Sequence, residues 1–107
     1  MASEKILKLD EENFEEAIKS GVILVDFYAD WCGPCRMLAP VLEQVVIDLE
    51  SIAKIGKLDI DKSHKIANIH RVTSVPTMIL FKEGNEVNRL VGLLEAEGII
   101  DFVKAAL

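Results

Sequence analysis

Val22-Ile23-Leu24-Val25-Asp26-Phe27-Tyr28 runs directly into Ala29-Asp30-Trp31-Cys32-Gly33-Pro34-Cys35, and this join decides the fold. The first half is nearly continuous in apolar, β-favouring residues, the pattern of a central strand covered on both faces. In the second half, Pro34 suits the first turn of a helix, where its missing N–H has no helical partner. Met37, Leu38, Val41, Leu42, Val45 and Leu49 then recur at helical spacing. A long helix is predicted there, with Met37 on its apolar face and a kink at Pro40, which removes one backbone hydrogen bond.

Working outward, residues 4–9 alternate loosely and predict a short first strand. Asp10 then stands as an N-cap, with Glu11 and Glu12 in the first turn, where negative charge suits the helix dipole. Phe14, Ala17 and Ile18 fall at helical spacing and Gly21 terminates, giving a helix over 11–20. Downstream, 53–60 reads as a strand and 62–70 as a short helix with Ile66 and Ile69 inward. Thr77–Lys82 and Glu86–Val91 form a hairpin around Glu83-Gly84-Asn85. A last helix over 95–106 turns Ile99, Ile100, Phe102 and Val103 inward. The order β-α-β-α-β-α-β-β-α implies an α/β protein, with crossover units and helices on both faces of a mixed sheet.

The bulk numbers agree with one soluble domain over 1–107. The chain has 107 residues, half of them apolar and 28% charged, enough to bury a core without a disulfide staple. Its two cysteines therefore need another explanation. A net charge of −6 without a basic patch argues against nucleic acid and anionic membrane as partners. No long apolar run opens the chain or crosses a bilayer, so neither a secretory signal nor a membrane span is expected. Cytoplasm is the expected location, where close cysteine pairs tend to be catalytic or metal-binding.

Cys32 and Cys35, two residues apart at a helix start, can close a small disulfide ring. The helix start offers free N–H groups and partial positive charge, both of which favour thiolate over thiol. Cys32, at the N-terminal edge, is expected to be exposed and low in pKa, and to attack. Cys35, one turn further in, is expected to be buried and to resolve the mixed disulfide. Zinc is the rival chemistry, but a structural site usually takes four ligands. His64 and His70 alone remain as soft candidates, six residues apart, and both read as surface helix residues. No metal is expected.

Trp31-Cys32-Gly33-Pro34-Cys35-Arg36 resembles the active site of the thioredoxin family. The likeness continues through Val25-Asp26-Phe27-Tyr28-Ala29, Ala39-Pro40, Lys57-Leu58-Asp59-Ile60-Asp61, Val75-Pro76-Thr77, Phe81-Lys82-Glu83-Gly84 and Val91-Gly92. It implies a thioredoxin fold, a five-stranded mixed sheet in the order 1-3-2-4-5 with two helices on each face. It also implies a monomeric general protein-disulfide reductase and electron carrier in cell redox homeostasis. The pair would be re-reduced by a thioredoxin reductase, and no cofactor would be bound.

The resemblance also assigns supporting roles. Asp26 would be a buried, raised-pKa carboxyl serving as general base to Cys35; from the run alone, a solvated strand-end carboxylate is an equal reading. Lys57 would set the charge state of Asp26, against the plainer reading of an exposed strand lysine. Val75-Pro76 would be a cis bond facing the cysteines, with the Val75 backbone pairing an extended substrate, although an X–Pro bond is ordinarily trans. Gly33 and Pro34 would tune the redox ring. Trp31, with Gly92 and Pro76 nearby, would form a docking surface. Two departures stand out. Tyr28 occupies a position where many members have Trp, and His70-Arg71 replaces the usual aromatic-Gly pair, asking Arg71 for a left-handed conformation at about 1 kcal/mol. The competing functions are a non-catalytic thioredoxin-like binding subunit and a thiol oxidase or isomerase.

Overall fold

The computed structural model describes residues 5–107. Strands β1 (Ile6–Leu9), β2 (Val22–Tyr28), β3 (Lys54–Asp59), β4 (Thr77–Lys82) and β5 (Asn85–Val91) alternate with helices α1 (Phe14–Ile18), α2 (Gly33–Asp48), α3 (His64–Ile69) and α4 (Ala96–Lys104). They form one five-stranded sheet in the order β1-β3-β2-β4-β5. β3 is parallel to β1 and β2, whereas β4 is antiparallel to β2 and β5. This is the predicted thioredoxin fold, with β2 at the centre.

Strand alternation distributes the apolar residues of β2 to two cores. Leu24 packs with Leu38, Leu42, Val45 and Leu49 of α2 and its C-terminus, and with Ile99 and Val103 of α4. Ile23, Val25 and Phe27 pack with Phe14 and Ile18 of α1 and Ile66 of α3. Phe14, Phe27 and Phe81 are fully buried, with ring centroids 5.7 Å apart for Phe14–Phe81 and 6.4 Å for Phe14–Phe27. Each such ring contributes about 1.5–3 kcal/mol by burial. By parity, Asp26 faces the α2–α4 side with Leu24, in register with Lys57 on β3 and Met78 on β4.

Several sequence expectations are corrected. Helix α1 is shorter than 11–20. The Asp10 carboxylate accepts the N–H groups of Glu12 and Asn13, and the Asn13 side chain accepts that of Asp10; this side-chain turn competes with helix, which starts only at Phe14. Residue 4 of the predicted first strand lies outside the described residues. Ile69 is not inward but 69% exposed. Helix α3 ends there, and the next residue takes the inward place: the His70 ring lies 5.2 Å from Phe14 and 5.3 Å from Phe81. His70 is thus a half-buried member of an aromatic cluster rather than a surface residue. Met37 is exposed, not part of the apolar face of α2.

Candidate active site

The loop after β2 turns into α2 at Cys32. Its backbone is extended, with φ −90° and ψ 113°, so Cys32 is the N-cap and Pro34 lies in the first turn. Cys32 Sγ accepts the N–H of Cys35 at 3.2 Å. An N-cap acceptor satisfies a helix N–H and gains from the positive helix end, and a thiolate gains more than a neutral thiol. Cys32 and Cys35 are joined as a disulfide, with their Cα atoms 5.2 Å apart.

The expected contrast between an exposed Cys32 and a buried Cys35 does not hold in this oxidised state, since each is 4% exposed. Both pack with Ala29 against Tyr28, Ile60 and Val75. The Val75 carbonyl oxygen lies 3.7 Å from Cys32 Sγ and shields it. The asymmetry lies in the backbone: Cys32 caps the helix, whereas Cys35 belongs to it.

Asp26 is fully buried, and among the described residues neither of its oxygens has a hydrogen-bond partner. Burial pushes its carboxyl up to about 7, against a lowering pull from Lys57. No hydrogen bond ties it to Cys35. Lys57 acts electrostatically on Asp26 and lines a cavity with Cys35. Lys57 is the register partner of Asp26, and its ammonium lies 4.6 Å from the centroid of the Tyr28 ring. Lys57, Tyr28 and Cys35 share a small cavity of about 90 Å³ with Asp30, Arg36 and Ala39. Tyr28 therefore turns an aromatic face toward Lys57, a cation–π contact. Burial raises the Tyr28 phenol, helped by Asp59, Asp30 and Asp26. Roomier hollows, between Glu16 and Glu83 and between Lys5 and Lys54, lie away from the cysteines.

Around the disulfide, Trp31 is 68% exposed and its indole N–H donates to Asp61 Oδ2 at 3.0 Å. The Val75–Pro76 bond is cis. The Pro76 carbonyl accepts the N–H of Gly92 at 2.9 Å, which brings Gly92 beside the Val75–Pro76 edge. Gly92 has φ +103°, a conformation that any residue with a Cβ adopts only under strain. Val91 and Leu93 on either side of it are exposed. Gly33 and Pro34 fill the ring between the cysteines, and Arg36 donates to the Asp30 carbonyl at 2.8 Å. The sequence reading missed Asp61 as the anchor of the Trp31 indole. It also missed Arg89 and Glu86, which hold the 70–71 corner. Only the Asp61 position, within a segment that resembles the family, carried a signal.

The family model described as Thioredoxin matches residues 5–105. The thioredoxin of Chlamydia pneumoniae is 50% identical over 95 residues, covering 89% of this chain and 92% of its own. That of Staphylococcus saprophyticus is 44% identical over 99 residues, covering 92% and 95%. Among solved structures, a mutant thioredoxin from Halobacterium salinarum superposes with a TM-score of 0.87 at 32% identity, covering 99% of this chain and 94% of its own. A chain matched along almost its whole length, in sequence and in fold, by these proteins belongs to the thioredoxin family, whose members are thiol–disulfide oxidoreductases.

Proposed function

We propose the following division of labour within a single-domain protein-disulfide reductase. The Cys32 thiolate attacks one sulfur of a substrate disulfide, breaking that bond and releasing one substrate thiolate. Cys35, deprotonated, then attacks Cys32 Sγ. The mixed disulfide breaks, the second substrate thiolate leaves, and the Cys32–Cys35 disulfide forms. Two electrons and two protons from a thioredoxin reductase restore the dithiol. The single observation that carries this assignment is the Cys32 N-cap, whose sulfur accepts the Cys35 N–H.

Asp26 is the general base for Cys35. A carboxyl with a pKa of about 7 is matched to taking a thiol proton near neutrality. Lys57 tunes that carboxyl, and Gly33 and Pro34 restrain the redox ring. An extended substrate segment lies along Val75, Pro76 and Gly92, with Trp31 as the exposed aromatic contact. Among the described residues no helix is long and apolar enough to cross a membrane, and we assign the protein to the cytoplasm as a monomeric electron carrier with disulfide-containing proteins as substrates.

Insulin reduction tests the assignment. Wild type is expected to turn over, while Cys35→Ser stalls as a mixed disulfide visible by mass spectrometry; a wild type that does not reduce insulin defeats the reductase reading. The redox equilibrium with glutathione separates a reductase from an oxidase or isomerase, because a reductase pair stays strongly reducing.

A further inference from the structure

Arg71, standing where the family usually has glycine, adopts φ +56°, a left-handed conformation disfavoured for any residue with a Cβ. The corner is held from two sides. Inside, the His70 ring lies against Phe14, Phe27 and Phe81. Outside, Arg89 reaches across from β5, donating from Nη2 to the His70 carbonyl at 2.8 Å and from Nη1 to the Arg71 carbonyl at 3.4 Å. Two further donors go to Glu86, with Nε–Oε2 and Nη2–Oε1 both 2.7 Å. Such a planar fork, gripping a carboxylate and two carbonyls together, is a geometry lysine cannot reproduce.

Only Val72, Thr73 and Ser74 separate this corner from Val75, whose carbonyl lies 3.7 Å from Cys32 Sγ. The segment has further ties, from the Val72 N–H to the Ala67 carbonyl at 2.9 Å and from the Thr77 hydroxyl to the Ser74 carbonyl at 2.6 Å. Where the corner sits therefore decides where the Val75 edge sits. Exposed charges joined at a surface contribute little by themselves; here the pair is useful because it fixes two backbone carbonyls of a strained turn.

We propose that Arg89, braced by Glu86, is a positioning residue for substrate docking, doing for the His70–Arg71 corner what glycine's backbone freedom would otherwise do. It touches neither the cysteines nor the substrate and acts through the Val75 edge. The proposal rests on the reductase reading above, in which that edge pairs with an extended peptide.

Single-turnover oxidation of the reduced full chain tests it, with insulin as a polypeptide disulfide and 5,5′-dithiobis(2-nitrobenzoate) as a disulfide without a peptide backbone. Arg89→Ala is expected to lower the second-order rate constant with insulin about fivefold to tenfold and leave that with the aromatic disulfide unchanged. Arg89→Lys and Glu86→Gln are expected to lower it about twofold to threefold, again with insulin alone. Adding Arg71→Gly to Arg89→Ala is expected to restore most of the insulin rate, a rescue that a general loss of stability would not show. Should Arg89→Ala fail to fold, Arg89→Lys with and without Arg71→Gly carries the same comparison. An unchanged insulin rate, an equal fall with both disulfides, or no rescue by Arg71→Gly overturns the proposal. A wild type inert toward both disulfides overturns the reductase reading, and this proposal with it.

Discussion

Two corners meet at the disulfide, and they are built differently. The first, from Asp30 to Arg36, is held by its own neighbours. The Cys32 N–H donates to the Ala29 carbonyl, the Cys35 N–H to Cys32 Sγ, and the Arg36 side chain to the Asp30 carbonyl. The second, from His70 to Pro76, depends on distant chain. Arg89 grips the His70 carbonyl, Gly92 donates to the Pro76 carbonyl, and the His70 ring sits among Phe14, Phe27 and Phe81. The redox-active pair is written into a short segment, whereas the surface proposed to receive a substrate is assembled from long-range contacts. A helix N-terminus polarises its cap wherever it occurs, so the first corner needs little context. The Val75–Pro76 edge, outside any helix or strand, must be placed by something else.

The comparison breaks first at the cysteines. Cys32→Ser is expected to lower insulin reduction more than about a thousandfold, since no other nucleophile stands in its place. Residual turnover close to wild type in an insulin turbidity assay would move the chemistry out of the first corner.

Next in size is Asp26, buried in β2 between the two neighbouring strands. Its folded pKa of about 7 exceeds the ordinary value of 3.8. The folded state therefore holds a proton that the unfolded state has lost between these values. Its contribution to stability is complete below about pH 4 and is lost as pH rises through about 7, a change of about 4 kcal/mol. Denaturant unfolding over this range is expected to show the decline in wild type and a flatter profile in Asp26→Asn. The same variant is expected to slow resolution of the mixed disulfide about tenfold to a hundredfold near neutrality.

Smaller effects sharpen the division. Trp31→Ala is expected to raise the insulin KM about tenfold with little change in kcat, as loss of an exposed aromatic contact would. Asp61, thirty positions along the chain, holds that indole, so even the first corner borrows one distant support. Gly92→Ala is expected to destabilise by about 1 kcal/mol, because its φ of +103° is strained for alanine. Thermal unfolding would register this, and an unshifted midpoint would show that the Pro76 carbonyl does not depend on that conformation.

Much of the molecule was legible in the amino-acid string. The span of β2, the helix start at Cys32 and Pro34 and the hairpin of β4 and β5 appear as expected, and so does the sheet order that the family resemblance implied. Periodicity reports burial well when elements are long, as in β2 and, Met37 apart, in α2. It failed in α3, where six residues are too few to define a face and His70 replaced Ile69 as the inward side chain. It failed for α1 because Asp10 and Asn13 formed a local turn that propensity does not see. The left-handed Arg71 was foreseen from a missing glycine, but its support by Arg89 was not.

By itself the sequence determined the reactive pair, its helix start and the order of elements, because each follows from residues a few positions apart. Tertiary structure alone decided the rest. It showed that Cys32 is covered, that both Asp26 oxygens are buried without a hydrogen-bond partner among the described residues, and that Lys57 faces Tyr28. It also showed how closely Gly56 is packed: a Cβ there would lie 2.7 Å from Leu9 Cδ1 on the neighbouring strand, so that the leucine side chain would have to shift. The physical reason is common to all of these. Desolvation, ring contacts and close approach belong to groups that chain folding brings together, and no local spacing encodes which distant residue will fill the space.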